Sequence, residues 1–304
     1  MLLLNPEISS TVPDLKDRFL GASPFPHVVI DDFFERDFAE RLLEQFPPFA
    51  GGDARSEFGK QGKKSVNSDF RAIGGAYAQL EAYLQSDGFT RFISDVTGLP
   101  NPILVMQAGG TQESLNGADL APHLDYNFLD WQGEVLQRRL NILVYLNRDW
   151  QAAWGGNFEL HSNPWQPEDN TVHRYAPVFN RAIIMETSER SWHGHDLICL
   201  PDSASNSRKS ISIYLFSNTE GDAERPVRRS TFYATRQLPL HLQEGHVLTQ
   251  ADLELLDAAV SKRDRWIQHY QSEVLRFSQK AEKQAKRAAW LAAKLDQRSD
   301  GQEP

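Results

Sequence analysis

The middle of the chain contains short apolar or alternating runs that are separated by turn-forming residues. Such runs indicate β-strands, and the chain also offers a weaker candidate edge strand near its end. The predicted strands are 25–34, 103–108, 123–126, 140–146, 157–160, 181–186, 210–216 and, at the edge, 231–235. Many short strands with turn signals between them predict an antiparallel double-stranded β-helix, or jelly roll.

Apolar residues recur at helical spacing in three segments that precede most of the strands. These predicted helices cover 37–45, 77–84 and 89–97, and we expect them to buttress the jelly roll. Other segments lack either pattern and are rich in polar or turn-forming residues. We therefore expect an irregular arm at 1–23 and loops at 51–67, 109–118, 127–137 and 161–175.

The character of the sequence changes after residue 239, where a polar, alanine-rich stretch without proline or glycine runs from 250 to about 295. Thr249 followed by Asp252 forms a weak capping box, which predicts the start of a long helix. Two interpretations remain open: the helix packs on the jelly roll, or it contacts a partner or a second copy of the chain. The apolar spacing is not a sustained heptad, so we predict no coiled coil.

These patterns divide the 304 residues into an N-terminal arm (1–23), a mainly β domain with N-terminal helices (24–240) and a C-terminal helical extension (241–304). A hydrophobic fraction of 40% is sufficient for a sizeable core, which excludes global disorder. The net charge of −9 argues against a nucleic-acid-binding protein. The single cysteine, Cys199, predicts a reducing cytoplasmic environment, and no apolar run reaches the ~18 residues of a membrane span.

Candidate chemistry begins at His123 and Asp125, which alternation places on one face of a strand, about 6–7 Å apart. A His-x-Asp pair alone is more often a surface pair than a ligand pair. Here it is followed, in order, by Gly155-Gly156, by His193-Gly194 and by Arg208-x-Ser210 on a strand. Two imidazoles and one carboxylate on one face of a metal are typical of non-haem Fe(II) oxygenases, so this order predicts a metal site.

Six motifs together carry a resemblance to a known family. They are His123-Leu124-Asp125, the run 140–150, Trp154-Gly155-Gly156, the run 176–181, Trp192-His193-Gly194 and Arg208-Lys209-Ser210. Through them the segment 24–218 resembles the prolyl-hydroxylase-like branch of the 2-oxoglutarate- and Fe(II)-dependent dioxygenases. The motifs are specific for the family and not for a substrate.

The resemblance implies Fe(II) bound by His123, Asp125 and His193, with 2-oxoglutarate and O2 as co-substrates and ascorbate as a further candidate cofactor. It also implies that Arg208 holds the distal carboxylate of 2-oxoglutarate, with Ser210 on the same side of its strand. Gln107 and Tyr145 are expected on strands that line the barrel, where either could bind the co-substrate.

The reaction implied is hydroxylation of a C–H bond, with release of succinate and CO2, on a peptidyl or prolyl-type residue or on a small molecule. Two roles in the site have a second candidate. His195 is the alternative to His193 as a metal ligand, and Lys209 is the alternative to Arg208 for binding the carboxylate. An alternative function is a jelly-roll metal protein with a hydrolytic or scaffold role, whose C-terminal helix mediates partner or homodimer contacts.

Overall fold

A computed structural model describes residues 3–49, 63–201, 204, 206–218, 226–234 and 242–299. They form two compact units, 1–236 and 237–304, and each unit is described here by itself. Within the described ranges, no helix is both long and apolar enough to cross a membrane.

Among its described residues, the first unit contains five α-helices that pack against one face of a large sheet. They are α1 (Ile8–Gly21), α2 (Arg36–Glu44), α3 (Phe70–Ile73), α4 (Gly75–Leu84) and α5 (Asp87–Thr97). Three of them coincide closely with the predicted helices, since their apolar faces are buried in one hydrophobic core with the sheet.

Two antiparallel sheets form the jelly roll, which confirms the predicted fold class. The larger sheet has the order β1-β10-β7-β12-β4-β2, with β3 beside β12 and β6 beside β7, and the smaller has the order β13-β5-β11-β8-β9. The strands are β1 (His27–Ile30), β2 (Lys64–Asn67), β3 (Ile103–Leu104), β4 (Gly110–Ser114), β5 (Leu120–Leu124), β6 (Phe128–Trp131), β7 (Glu134–Tyr145), β8 (Phe158–His161), β9 (Val172–Tyr175), β10 (Ala182–Glu186), β11 (Trp192–His195), β12 (Arg208–Asn218) and β13 (Phe232–Tyr233).

The central strands of the larger sheet are buried on both faces, which explains their continuous apolar runs. On β7, Ile142 and Val144 face the helical core, whereas Leu143 and Tyr145 pack with residues of the smaller sheet. Full burial of such a side chain stabilises the fold by about 1.5–3 kcal/mol. On β12 the alternate residues face a cavity between the sheets instead, and these residues are polar.

Asn147, just after β7, fixes the start of β12. Its amide oxygen accepts from the backbone N–H of Lys209 at 2.7 Å, and its amide nitrogen donates to the carbonyls of Lys209 at 3.1 Å and Pro177 at 2.7 Å. Because Asn147 is only 5% exposed, these bonds are shielded from water and hold the strand in one register.

Several predicted irregular segments are regular, so those expectations were wrong. Residues 8–21 of the expected arm form α1, because Ile8, Leu15 and Phe19 bury one face of it. The expected loop 109–118 contains β4, and residues 172–175 of the expected loop 161–175 form β9. Residues 64–67 of the expected loop 51–67 form β2, and residues 51–62 lie outside the described residues.

The expected loop 127–137 is a β-hairpin, β6–β7, closed by a two-residue turn at Gln132 and Gly133. Their φ angles of 52° and 89° correspond to the left-handed conformations of a type I′ turn, which matches the twist of the two strands. Conversely, the predicted strand 103–108 ends at Leu104 and continues as a 3-10 turn, Met106–Ala108.

The second unit contains the predicted long helix, α6 (Gln250–Ser299). The capping box at its start is confirmed: Thr249 Oγ1 accepts from the N–H of Asp252 at 3.2 Å, and the Asp252 carboxylate accepts from the N–H of Thr249 at 2.8 Å. Many large apolar side chains along α6 are exposed.

Candidate metal centre

His123, Asp125 and His193 lie together between the two sheets. His123 is on β5, Asp125 directly follows that strand, and His193 on β11 pairs directly with His123. The Nε2 atoms of His123 and His193 lie 3.8 and 3.5 Å from the Asp125 carboxylate. One ligand atom from each residue lies within 4.8 Å of the others, so a single metal ion can reach all three.

Backbone carbonyls orient both imidazoles. The Nδ1 atom of His123 lies 3.0 Å from the carbonyl of Ala121, and that of His193 lies 2.8 Å from the carbonyl of Ser191. A carbonyl only accepts, so each Nδ1 carries the proton and each Nε2 presents its lone pair toward Asp125. The tautomer required of a metal ligand is thus built into the fold.

Burial keeps both imidazoles neutral. It lowers the pKa of His123 to about 3, and the neighbouring imidazole of His193 contributes to this shift. Burial also lowers the pKa of His193, although Asp125 partly opposes the change. Neutral histidine is the form that binds a metal ion, so no proton has to be displaced from either ring at neutral pH.

Arg138 supports the carboxylate of Asp125. Its guanidinium lies 2.9 Å from Asp125 Oδ2 and is stacked between the rings of Tyr126 and Tyr214, with centroids at 4.8 and 3.6 Å. Burial alone would raise the pKa of Asp125, but Arg138 and the two histidines lower it. Asp125 is therefore held as the anion that a divalent metal needs.

Gly194 allows β11 to approach β5 closely enough to join the two histidines. A Cβ atom at this position would lie 2.5 Å from the carbonyl oxygen of Leu120, which is far inside contact distance. The strand pairing shifts register between His193 and His195. His195 also lines the cavity, but its Nδ1 lies 2.9 Å from the carbonyl of Asp196, and it is outside the group of three candidate ligands.

Arg208 extends into the same cavity from β12 and is only 6% exposed. Its Nε donates to the carbonyl of Gly156 at 2.7 Å, and its Nη2 donates to the hydroxyl of Tyr145 at 3.1 Å. Among the described residues, no carboxylate forms an ion pair with Arg208. A buried, oriented and unpaired guanidinium is suited to bind the carboxylate of a ligand.

Ser210 pairs with Tyr145 on the cavity face of the larger sheet, and its buried hydroxyl has no hydrogen-bond partner in the described part of the protein. The same is true of Ser212. Unpaired buried hydroxyls are costly without a partner, so both favour a polar ligand nearby. This donor set and the adjacent guanidinium fit Fe(II) with a chelating dicarboxylic acid.

The cavity has a volume of about 300 Å³ and is lined by residues of both sheets. Its polar and ionisable lining residues are Lys64, Gln112, Ser114, His123, Asp125, Tyr126, Arg138, Asn141, His193, His195, Arg208, Ser212, Tyr214, Thr231 and Tyr233. A pocket of this size accommodates a small organic acid together with part of a further ligand.

Two predicted candidates lie elsewhere. Gln107 was expected on a strand lining the barrel, and this was wrong: it lies on an exposed 3-10 turn, because the strand ends at Leu104. Lys209, the alternative to Arg208, is on the other face of β12, where its Nζ lies 3.2 Å from the Glu113 carboxylate. Strand alternation separates these neighbouring cations.

Sequence reasoning missed Lys64 and Arg138, which both line the cavity. Lys64 was assigned to a loop, and Arg138 lies between the predicted loop 127–137 and the predicted strand 140–146. Val66 is the single apolar residue of β2, so this segment has no alternation that would have indicated a strand. Nothing in the sequence indicated that Arg138 would pair with Asp125.

Residues 110–216 match the family described as the 2OG-Fe(II) oxygenase superfamily. This segment contains His123, Asp125, His193 and Arg208. No curated protein sequence is significantly similar to this chain.

Solved structures with a similar fold have low sequence identity to this chain. A prolyl hydroxylase from Trichoplax adhaerens, in complex with a hypoxia inducible factor peptide, is 16% identical with a TM-score of 0.49, covering 69% of this chain and 92% of that one. A Pseudomonas putida prolyl-4-hydroxylase is 15% identical with a TM-score of 0.48, covering 68% and 100%.

A third structure, HygX from Streptomyces hygroscopicus with nickel, 2-oxoglutarate and hygromycin B bound, is 16% identical with a TM-score of 0.44, covering 64% of this chain and 83% of that one. Such similarities do not define a substrate, and the assignment depends on the matched segment and on the residues that it contains. What the comparisons establish is that the segment 110–216, with its four predicted site residues, matches the 2OG-Fe(II) oxygenase superfamily.

Proposed function

We propose that this protein hydroxylates a C–H bond of an organic substrate with Fe(II), 2-oxoglutarate and O2. The observation that carries the proposal is one cavity that combines a His-Asp-His group with the buried Arg208. When bound, Fe(II) and 2-oxoglutarate supply the oxidising chemistry, in which the acid is converted to succinate and CO2 and one oxygen atom enters the substrate.

The charge and position of each side chain determine whether it binds the metal ion or the co-substrate. His123 and His193 offer neutral nitrogen atoms and Asp125 an ionised oxygen, so three protein ligands leave other coordination positions open. Arg208 binds the distal carboxylate of 2-oxoglutarate, and Ser210 and Ser212 can donate to oxygen atoms of the bound acid. Burial of all these groups limits the access of water to the reacting atoms.

The test combines binding and turnover. Under anaerobic conditions, Fe(II) and 2-oxoglutarate should give the visible absorption band of a chelated 2-oxo acid, and O2 should then produce succinate. His123→Ala should lose the band and the succinate. Arg208→Met should raise the KM for 2-oxoglutarate at least about tenfold, as expected when a charged hydrogen-bond partner is lost, with iron affinity little changed.

The exposed Arg91 on α5 provides a matched control, because Arg91→Met removes the same charge outside the cavity. A protein that binds metal without forming the band would favour the alternative of a hydrolytic metal protein. Wild-type rates of decarboxylation by His123→Ala would contradict the metal assignment.

The substrate class within this proposal covers peptidyl or prolyl-type residues and small molecules. Comparing metabolite and peptide extracts incubated with wild-type protein and with His123→Ala identifies products that are heavier by one oxygen atom. A cytoplasmic location is a further prediction, based on the single cysteine, and cell fractionation tests it.

We further propose a homodimer formed through α6. Leu253, Val260, Ile267 and Val274 recur every seven residues, and each is about half exposed (49, 56, 55 and 63%). The stripe covers only part of α6 and is not a sustained coiled-coil repeat, but it can pack against the same stripe of a second helix. Arg263 and Gln284 are polar and stand at positions where such a helix contact would need apolar residues. They limit the predicted strength of the pairing.

Light scattering on the full chain tests the dimer. Wild-type protein and Gln268→Glu, an exposed neighbour outside the stripe, should have the mass of two chains, whereas Ile267→Glu should have the mass of one. A single-chain mass for the wild type would contradict the proposal.

A further inference from the structure

We propose that Lys64 binds an anionic oxygen group of the primary substrate, a carboxylate or a phosphate, beside the metal centre. The inference rests on the proposed function and adds to it a substrate class. It concerns a residue outside the family match, which begins at residue 110.

Strand pairing places Lys64 in the same row as Arg208. Lys64 on β2 pairs with Ser114 on β4, and Ser114 pairs on its other side with Arg208 on β12. Paired residues point to the same face of a sheet, and all three line the cavity. Neighbouring strands are about 4.8 Å apart, so the backbones of Lys64 and Arg208 are separated by about 10 Å.

The charges around this row are unbalanced. Asp125 is the only carboxylate among the described residues that line the cavity, and Arg138 already forms its ion pair. Within the described ranges, neither Lys64 nor Arg208 forms an ion pair with a carboxylate, although the charge of Asp125 does act on Lys64. One anionic group of 2-oxoglutarate compensates Arg208 in the proposed function, and this leaves the charge of Lys64 for a second anion.

The environment of the Lys64 ammonium agrees with a missing counter-charge. Burial lowers the pKa of Lys64 to about 8, repulsion by Arg208 adds to the shift, and the carboxylate of Asp125 only partly opposes it. Bringing an anion beside Lys64 would relieve both effects, because it would solvate the ammonium and compensate its charge.

Position in the sheet separates the roles of the two cations. The Arg208 guanidinium is fixed by the hydroxyl of Tyr145 on β7, one strand away on the side opposite to β4. Lys64 is on β2, the edge strand, and is less buried than Arg208. The more deeply buried Arg208 is therefore suited to bind the co-substrate. Lys64, at the edge of the sheet, is suited to bind a ligand that enters after the co-substrate.

The experiment uses full-length protein loaded with Ni(II), which cannot support turnover, and with 2-oxoglutarate. The probes are N-acetylated amino acids and sugar phosphates, each paired with its neutral amide or dephosphorylated form. The shift of the unfolding midpoint is measured for wild type, Lys64→Met, Lys64→Arg and Lys63→Met. Lys63 is the matched control, since it is exposed and is the immediate neighbour of Lys64.

We expect at least one anionic probe to stabilise the wild type and Lys63→Met, while its neutral form does not. The carboxylate and phosphate series show which anion is preferred. In Lys64→Met, the dissociation constant of that probe should increase at least about tenfold, and Lys64→Arg should restore part of the affinity. Equal binding by Lys64→Met, or stabilisation by neutral probes alone, would overturn the inference.

Calorimetric titration of 2-oxoglutarate into the Ni(II)-loaded proteins distinguishes a failure of the substrate role of Lys64 from a failure of the proposed function. A tenfold weaker affinity for 2-oxoglutarate in Lys64→Met would assign Lys64 to the co-substrate and overturn the substrate role alone. Failure of the wild type to bind 2-oxoglutarate would overturn the proposed function itself.

Discussion

Arg138 is the residue on which the position of the Asp125 carboxylate most directly depends. It combines an ion pair at 2.9 Å with stacking on the two tyrosine rings, and it is only 1% exposed. A metal ligand that is itself held by a second residue loses less freedom when the ion binds. We therefore regard Arg138 as a positioning residue and not as a ligand.

Replacing Arg138 tests this role. Arg138→Met should weaken metal binding about 10–100-fold, the usual effect of losing a partner of a metal ligand. It should also move the acid limit of metal binding to higher pH, because Arg138 lowers the pKa of Asp125. Calorimetric metal titrations at several pH values measure both effects.

Arg139→Met is the matched control for this substitution, because Arg139 is the adjacent residue and is absent from the cavity lining. Arg138→Lys should recover part of the metal affinity. An unchanged metal affinity in Arg138→Met, in a folded protein, would show that Asp125 needs no such support.

Among individual residues, the sequence indicated those that belong to short motifs in a recognisable order along the chain. His123, Asp125, His193 and Arg208 were predicted together, and the structure brings all four to one cavity. Lys64 and Arg138 could not be found in this way, because pairing between distant strands brings them to the site. Gln107 was misplaced because a 3-10 turn interrupts its strand.

At the scale of elements, the contact of β5 with β11 decides whether the two imidazoles meet. The Gly194→Ala substitution tests this contact, because the new methyl group would overlap with the carbonyl of Leu120. Overpacking of this kind costs about 1–3 kcal/mol, and it should force the strands apart locally. Metal affinity should then fall by at least about tenfold.

The matched control is Gly88→Ala on α5, where the nearest atom to a new Cβ lies at an ordinary 3.7 Å. Metal titration and the unfolding midpoint should both be measured. Normal metal affinity in Gly194→Ala would show that β11 can shift without separating His193 from His123.

The predicted elements were those with a clear apolar pattern. The central strands β7, β10 and β12 were predicted because both of their faces are buried, whereas β2, β4, β6 and β9 were mistaken for loops. The first two of these present polar residues such as Lys64, Gln112 and Ser114 to the cavity. A strand whose inward face is polar because it lines a binding cavity has no hydrophobic alternation. The sequence pattern therefore does not indicate that such a segment is a strand.

For the whole molecule, the metal centre joins two strands of the smaller sheet, so its occupation should stabilise the fold. At a metal concentration of about a hundred times its dissociation constant, linkage adds about 2.7 kcal/mol to the free energy of unfolding. For a unit of this size, we expect an increase of about 5–10 °C in the unfolding midpoint.

Chelation should reverse this increase, and Asp125→Asn, which removes one ligand, should not show it. Differential scanning calorimetry of apo and metal-loaded protein provides the measurement. Equal midpoints for the two forms would indicate that the ion contributes nothing to the native state.

Asn147 has a consequence for how the chemistry of this cavity could change. Because it binds both backbone polar groups of Lys209, it determines which of two consecutive cations faces the interior and which is left among the helices. A slip of β12 by a single position would exchange them and would turn Ser210 and Ser212 away from the cavity. The amide of one asparagine, together with the buried apolar face of β12, therefore decides that the cavity receives a guanidinium and not an ammonium.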